Sequence, residues 1–397
     1  SIIDRPEELP DAINLWRAIV AWFGGFFALV VAFAVLAPRG LGGYEIYQSS
    51  SVDHAIGRLR GAPSWADSQR HEEAGERIAI AVIGVAPIYI GLTALLALGL
   101  LISGHTPFSA STAAMSLIST TGLLINSEGM FHQSNGLGEV VAVAFLFLAA
   151  TRHIFVVGAP LKRKMSGYLN DAEVKLLALF VIISATWLFG RHWVGALDID
   201  QTTEVSEPLR AAWGAFFTAL SFATTAGVVS ESWDAARVWS GMGNPSLILL
   251  GLAVTGGGIA STAGGVKLLR AYALFRHGER EMERLVRPSS IAGSGVARRG
   301  LRREGAQIAW VFVMLFLVSL AGAMLALSLT ELSFELSLMA ALAALSNTGP
   351  LFNVAGGDVS YLKDVSAEGR SVLIVVMLLG RVEVLAVIAM LNPGNWR

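Results

Sequence analysis

The chain has 397 residues, of which 54% are hydrophobic and only 15% charged, and its mean hydropathy is +0.60. An average soluble domain is about a quarter charged, so much of this surface does not face water. Lys and Arg number 29 against 30 Asp and Glu, a net charge of −1 that argues against nucleic acid as a partner. There is no cysteine, which excludes disulfides, thiolate catalysis and cysteine metal sites. Forty-two glycines in so apolar a chain point to close helix packing or irregular backbone inside a membrane. The chain reads as an integral membrane protein.

A membrane-spanning helix needs about 20 mostly apolar residues. In chain order, 18–37, 78–102, 174–190 and 306–329 meet that requirement. A fifth span, 140–161, is interrupted by Thr151-Arg152-His153, and a sixth, 247–275, by the glycine-rich run from Thr255 to Gly265. The seventh, 372–391, carries Arg381 and Glu383 near its centre. Between these spans lie apolar pieces too short to cross, at 108–119, 209–224 and 334–346, each ending in small polar residues and a glycine. They read as re-entrant half-helices, with Ser333 and Glu207-Pro208 as candidate starts.

Alternate loops differ sharply in basic content. Segments 42–77, 152–175 and 276–303 hold 17 Lys and Arg, whereas 103–138, 195–241 and 329–369 hold 3. The positive-inside rule makes the first set cytoplasmic, so the half-helices enter from the outer side. The loop at 195–208 adds Asp198, Asp200, Glu204 and Glu207, either an acidic mouth that concentrates cations or an ordinary solvated loop.

Helix, half-helix, polar glycine turn and helix recur three times. The turns are Ser119-Thr120-Thr121-Gly122-Leu123, Ala223-Thr224-Thr225-Ala226-Gly227-Val228 and Ser346-Asn347-Thr348-Gly349-Pro350, with glycines 105 and 122 residues apart. The chemistry of such turns is that of an ion filter. A cation leaving water needs its hydration shell replaced by oxygens, and a ring of backbone carbonyls does this without burying a charge. Thr-Gly turns also cap buried helices, but three in register favour the filter. Asn347 and Pro350 make the third turn unlike the others.

Three further features bear on mechanism. The run around Gly258–Lys267 has the outline of a phosphate loop, but it follows a membrane span rather than a strand, which argues against nucleotide. Glycine costs about 1 kcal/mol per helix position relative to alanine, so the run from Thr255 to Gly265 breaks its span; a glycine-packed helix contact is the alternative. Arg381 at mid-span is expensive on insertion scales, by about 2.5–3.5 kcal/mol, and must face protein or an aqueous cavity. One arrangement that would satisfy it is a bond to a carbonyl end of Thr255–Gly265. His105, His132, His153 and His192 lack metal-ligand spacing and read as loop or interfacial residues, and nothing argues for an enzyme.

Three stretches carry a family resemblance: Leu15-Trp16-Arg17-Ala18-Ile19-Val20-Ala21-Trp22-Phe23-Gly24-Gly25 with Gly40-Leu41-Gly42-Gly43 after it, Gly256–Lys267, and Met377-Leu378-Leu379-Gly380-Arg381-Val382-Glu383. In these the chain resembles the Trk/Ktr/HKT superfamily of potassium transporters, specifically the bacterial Trk-type pore subunit. The resemblance implies an all-α polytopic membrane protein with pseudo-fourfold helix–pore-loop–helix repeats around a central ion pathway. It places repeat 1, incomplete, in 1–60, repeat 2 in 61–170, repeat 3 in 171–300 and repeat 4 in 301–397. Three filter loops are present where the family has four, so the first is expected upstream of Ser1 or on another chain.

The resemblance further implies that Thr120, Thr121, Gly122, Thr224, Thr225, Ala226, Gly227, Asn347, Thr348 and Gly349 line the filter and hold potassium, with sodium as a second candidate. It makes Gly256, Gly257, Gly258, Ala260, Ser261, Thr262, Gly264 and Gly265 an intramembrane gate, with Arg381 as an electrostatic barrier. No tightly bound cofactor is expected. The partners implied are the bilayer, a second copy of the chain and a cytoplasmic nucleotide-binding regulatory ring. The place implied is the bacterial inner membrane, with a cytoplasmic C-terminus. A departure, Arg152-His153, leaves as the alternative a transport-incompetent relative serving as a structural subunit of a membrane complex.

Overall fold

In a computed structural model of the chain, the described residues are 6–36, 74–126, 129–134, 136–151, 154–155, 168, 171–195, 206–240, 246–259, 261–286, 303–330, 332–351 and 365–382. Helix α1 (Asp11–Val31) runs on into a π-helical turn at Ala32–Leu36. Then follow α2 (Ala74–Ile102), α3 (Pro107–Ile118), α4 (Leu137–Ala149), α5 (Ala172–Gly195) and α6 (Ser206–Ala223). After α7 (Trp233–Ser240), α8 (Ser246–Thr255) and α9 (Leu268–Val286) flank the glycine-rich segment. The last are α10 (Arg303–Ser328), α11 (Phe334–Ser346) and α12 (Ala367–Val382).

Four helical stretches among the described residues are long and apolar enough to cross a membrane: Asp11–Ala34, Ile78–Ile102, Ala172–Gly190 and Gly305–Ser328. They coincide with the four uninterrupted spans expected from hydropathy. The expected half-helices are present as α3, α6 and α11. Thr106 caps α3 through its hydroxyl, which accepts from Ser109 N–H at 3.3 Å, and Pro107 follows at the first helical position. Ser333 caps α11 in the same way, accepting from Leu336 N–H at 3.4 Å.

Each half-helix is held by the helices before and after it: α3 by α2 and α4, α6 by α5 and α8, α11 by α10 and α12. Each also packs on the second helix of the preceding unit, giving the contacts α1–α3, α4–α6 and α8–α11. Helix α12 returns to touch α1, which brings the two ends of the series together. The outward faces stay apolar, with Phe27, Ile83, Ile102, Val318 and Leu325 more than half exposed. A surface of this kind belongs in lipid.

Two expectations need correction. The basic segment 276–303 was expected as a loop, but its first part, to Val286, continues α9. Hydropathy cannot report a helix once it leaves the membrane; the local Arg and Glu are good helix formers, and Arg276 pairs with Glu279 at 2.5 Å one turn on. The connection after the second turn contains α7, pinned to α5 by Trp239 Nε1, which donates to the Phe189 carbonyl at 3.3 Å, and by the stacked rings of the two residues. Residues 42–73, 152–153, 156–167, 169–170 and 287–302 of the basic segments, 195–207 of the acidic loop, Gly40–Gly43 and Glu383 lie outside the residues whose side chains are described.

Helix α1 meets the first turn through Gly25. A Cβ there would lie 2.7 Å from both the Ser119 Cβ and the Tyr89 hydroxyl, whereas one on Gly24 would meet nothing within 4 Å. Overpacking of this kind costs about 1–3 kcal/mol. Gly25→Val should therefore lower the thermal unfolding midpoint in detergent by several degrees and Gly24→Val should not; equal midpoints for the two variants would contradict the α1–α3 packing.

Candidate functional site

The three half-helices end alike. After α3, Thr120 takes a left-handed conformation (φ +50°), its N–H bonds to the Leu117 carbonyl at 3.1 Å, and Thr121 N–H reaches the Ser116 carbonyl at 3.0 Å. After α6, Thr225 has φ +59° and donates to the Phe222 carbonyl at 3.0 Å. After α11, Asn347 has φ +55° and donates to Ala344, while Thr348 N–H reaches Ala343 at 3.0 Å. Non-glycine residues seldom occupy this region, at a cost of order 1–3 kcal/mol. The same choice at three equivalent positions marks one repeated design for ending a buried helix.

The turns converge although their residues are more than a hundred positions apart in sequence. Gly122 has φ +59°, and a Cβ on it would stand 1.9 Å from the Ala226 carbonyl oxygen and 3.1 Å from the Pro350 ring. A Cβ on Gly227 would stand 2.8 Å from the Thr348 methyl and 3.1 Å from the same ring. Gly349 departs from this pattern: a Cβ there would meet nothing within 4 Å. Thr121 bonds the Ser119 hydroxyl at 3.0 Å, Thr224 donates to the Ser221 carbonyl at 3.0 Å, and Thr348 donates to Ser346 at 3.4 Å.

The remaining turn side chains, those of Thr120, Thr225 and Asn347, also reach outside their own turns, Thr120 while its hydroxyl lies 2.8 Å from the Ser119 carbonyl. Thr120 Oγ1 donates to the Thr262 carbonyl at 2.7 Å, and Thr262 Oγ1 donates back to the Ile118 carbonyl at 3.1 Å. Thr225 Oγ1 accepts from Gly264 N–H at 2.8 Å. Asn347 donates to the Met377 carbonyl at 3.2 Å, which ties the third turn to α12. The glycine-rich segment between α8 and α9 is therefore bonded directly to the first and second turns. It touches the third by contact, since a Cβ on Gly264 would lie 2.1 Å from the Ser346 carbonyl oxygen.

Arg381 belongs to the same knot. One guanidinium nitrogen donates to the Thr262 carbonyl at 2.5 Å and the other to the Ser119 carbonyl at 3.1 Å. The bond to a carbonyl of the glycine-rich segment is the arrangement the sequence admitted, and the Ser119 bond adds the first turn. Within the segment, Gly258 N–H donates to the Ala150 carbonyl at 2.9 Å, Val266 N–H to Val254 at 2.9 Å and Leu268 N–H to Gly257 at 3.1 Å. Ser261 Oγ donates to the Gly258 carbonyl at 2.6 Å. Gly256 (φ +69°) and Gly265 (φ +80°) open and close the loop, and Gly257 packs on Ala263. Ala260 lies outside the described residues.

Sequence reasoning missed four charged residues that organise this region. Glu139 in the first turn of α4 is 1% exposed and accepts from Trp213 Nε1 at 2.6 Å, Ser230 Oγ at 2.8 Å and Glu231 N–H at 2.7 Å, so it grips both limbs of the second turn. Its charge is also felt by Glu231, whose carboxyl is pushed above the ordinary range by partial burial and then by Glu139, with His132 opposing. Glu173, at the start of α5, accepts from Ile259 N–H at 2.8 Å. Lys267 adopts φ +77° and donates to the Ala263 carbonyl at 2.5 Å, and the buried Arg270 guanidinium lies 3.8 Å from the centre of the Phe312 ring. The only signal for the carboxylates was their place at the first turn of an apolar helix, which loop-flanking charges share. Among the histidines, His105 lies in the α2–α3 connection, a loop position as expected, and is buried there, 4% exposed.

The described residues contain helices long and apolar enough to cross a membrane, with three shorter helices whose ends meet over a glycine-rich loop. This is the architecture of a polytopic membrane transporter. The chain belongs to the TrkH family of cation transport proteins, whose sequence model matches residues 82–393. It is 28% identical over 98% of its length to the Trk system potassium uptake protein TrkH of Salmonella typhimurium, covering 75% of that protein. It is 27% identical over 100% of its length to the TrkH of Halomonas elongata, covering 76% of it. The crystal structure of the potassium transporter TrkH from Vibrio parahaemolyticus superposes with a TM-score of 0.75 at 25% identity, over 100% of this chain and 76% of that one. The family is one of transporters and not of enzymes.

Removing a carboxylate that serves three donors leaves each buried donor short, at about 1–3 kcal/mol apiece. Glu139→Ala should lower the unfolding midpoint in detergent clearly more than Trp213→Phe, which removes a single donor. Equal midpoints for the two would show that Glu139 does not hold the second turn.

Proposed function

We propose that this chain conducts potassium inward across the bacterial inner membrane through a filter of backbone carbonyls at the three convergent turns. Thr120, Thr121, Gly122, Thr224, Thr225, Ala226, Gly227, Asn347, Thr348 and Gly349 form the filter region, with sodium as a weaker substrate. The backbone carbonyls replace the hydration shell, and the carbonyl ends of three half-helices add partial negative charge at the same point. The relatives' names support potassium as the ion. The observation that carries the reading is the meeting of three equivalent left-handed turns, with Gly122 against the Ala226 carbonyl.

The segment Gly256–Gly265 is the gate in this reading, and the described conformation is closed. Its carbonyl at Thr262 takes up both Thr120 and Arg381, so loop backbone fills the space beneath the turns. Arg381 adds a fixed positive charge on the cation's route, an electrostatic barrier that withdraws with the loop. The basic loops face the cytoplasm, repeat boundaries fall near 60, 170 and 300, and the C-terminus is cytoplasmic. Dimerisation and a cytoplasmic nucleotide-binding ring are the assembly expected of a Trk-type pore.

Two measurements in proteoliposomes test this. Gly122→Ser should reduce potassium-over-sodium discrimination several-fold in competition flux, because its Cβ overlaps the Ala226 carbonyl; unchanged selectivity and flux would remove the filter assignment. Deleting Gly256–Gly258 should leave the protein leaky, and a variant that still closes fully would remove the gate. A protein that carries no cation under any condition would favour the structural-subunit alternative.

A further inference from the structure

The intramembrane loop is anchored at two separate places. From Thr262 to Gly264 it is bonded to the turns and to Arg381. At Gly258 and Ile259 it is bonded to groups that belong to neither. The Ala150 carbonyl accepts from Gly258 N–H at 2.9 Å, and Glu173 Oε1 accepts from Ile259 N–H at 2.8 Å. A Cβ on Gly258 would lie 2.7 Å from the Ala150 oxygen and 3.2 Å from Glu173 Oε2, so the loop backbone sits directly against both. Glu173 is 1% exposed and is itself fixed, its N–H donating to Asp171 Oδ1 at 2.8 Å in the first turn of α5.

We infer that Glu173, together with the Ala150 carbonyl, is a latch that holds the gate closed: a positioning residue that acts on the Gly258–Ile259 corner and not on the ion. This rests on the reading of the loop as the gate. A ligand or contact shifts a two-state equilibrium only through a difference in its interaction with the two states. The Glu173 bond makes that difference, because a loop that leaves the pathway takes the Ile259 N–H with it. The bond is of the charge-assisted kind, which is stronger than one between neutral groups, and its loss exposes no part of the turns. Ala150 and Glu173 flank in sequence the basic connection 152–170.

The test is rubidium flux through the full-length protein in proteoliposomes, with no cytoplasmic partner added. Losing a charge-assisted bond should move the closed-to-open ratio roughly ten- to hundredfold, so Glu173→Ala should raise basal flux at least tenfold while keeping potassium-over-sodium selectivity. Glu173→Gln keeps an acceptor oxygen without the charge and should leak less than Glu173→Ala, falling between it and the unmodified protein. Gly258→Ala, whose Cβ drives the corner off the Ala150 carbonyl, should leak in the same way and decides the matter if Glu173→Ala does not assemble. A tight Glu173→Ala beside a leaky Gly256–Gly258 deletion would overturn the latch alone. Tightness in both would overturn the gate reading beneath it. A leak accompanied by lost selectivity would make Glu173 a general structural residue and overturn the latch as well.

Discussion

Irregular backbone at membrane depth has no water to bond to, and each unsatisfied group there costs several kcal/mol. The region where the turns and the intramembrane loop meet is organised around this constraint. The Thr262 carbonyl takes donors from Thr120 and Arg381, the Gly264 N–H finds Thr225, and the Ile259 N–H finds Glu173. These partners come from helices far apart in the chain, so the broken helix between α8 and α9 persists only in the assembled fold. The glycines follow from the same need. At Gly264 and Gly258 another backbone approaches so closely that a side chain would occupy its place.

The half-helices were legible because length and hydropathy are local: an apolar piece of 12 to 16 residues with at most one charge, followed by small polar residues and a glycine, is too short to cross a bilayer. Arg381 was legible because a charge at mid-span demands a partner, and a carbonyl of the glycine-rich segment was within the range the sequence allowed. Its second acceptor, Ser119, was not, since nothing local links residues 262 positions apart. Glu139 and Glu173 stayed hidden for a related reason. A carboxylate in the first turn of a membrane helix looks the same whether it meets solvent or three buried donors. The extension of α9 to Val286 escaped because hydropathy reads membrane helices and is blind to an exposed one.

The repeats are alike in backbone and unlike in detail. Thr120, Thr225 and Asn347 share one left-handed conformation, yet a hydroxyl donates at the first, a hydroxyl accepts at the second and an amide donates to α12 at the third. Gly349 stands in open space where Gly122 and Gly227 are crowded, and the Pro350 ring fills the room beside both. A common turn geometry with three different supports lets the three turns differ in side chains while sharing one backbone conformation.

The hydroxyls of Thr120 and Thr225 belong at once to the turns and to the loop's supports. Two elements that share bonds cannot have independent free energies. Whatever tightens or loosens the turns alters the stability of the docked loop, and displacing the loop alters the turns by the same amount in return. The turns and the docked loop are thus energetically linked, so one joint equilibrium describes the two.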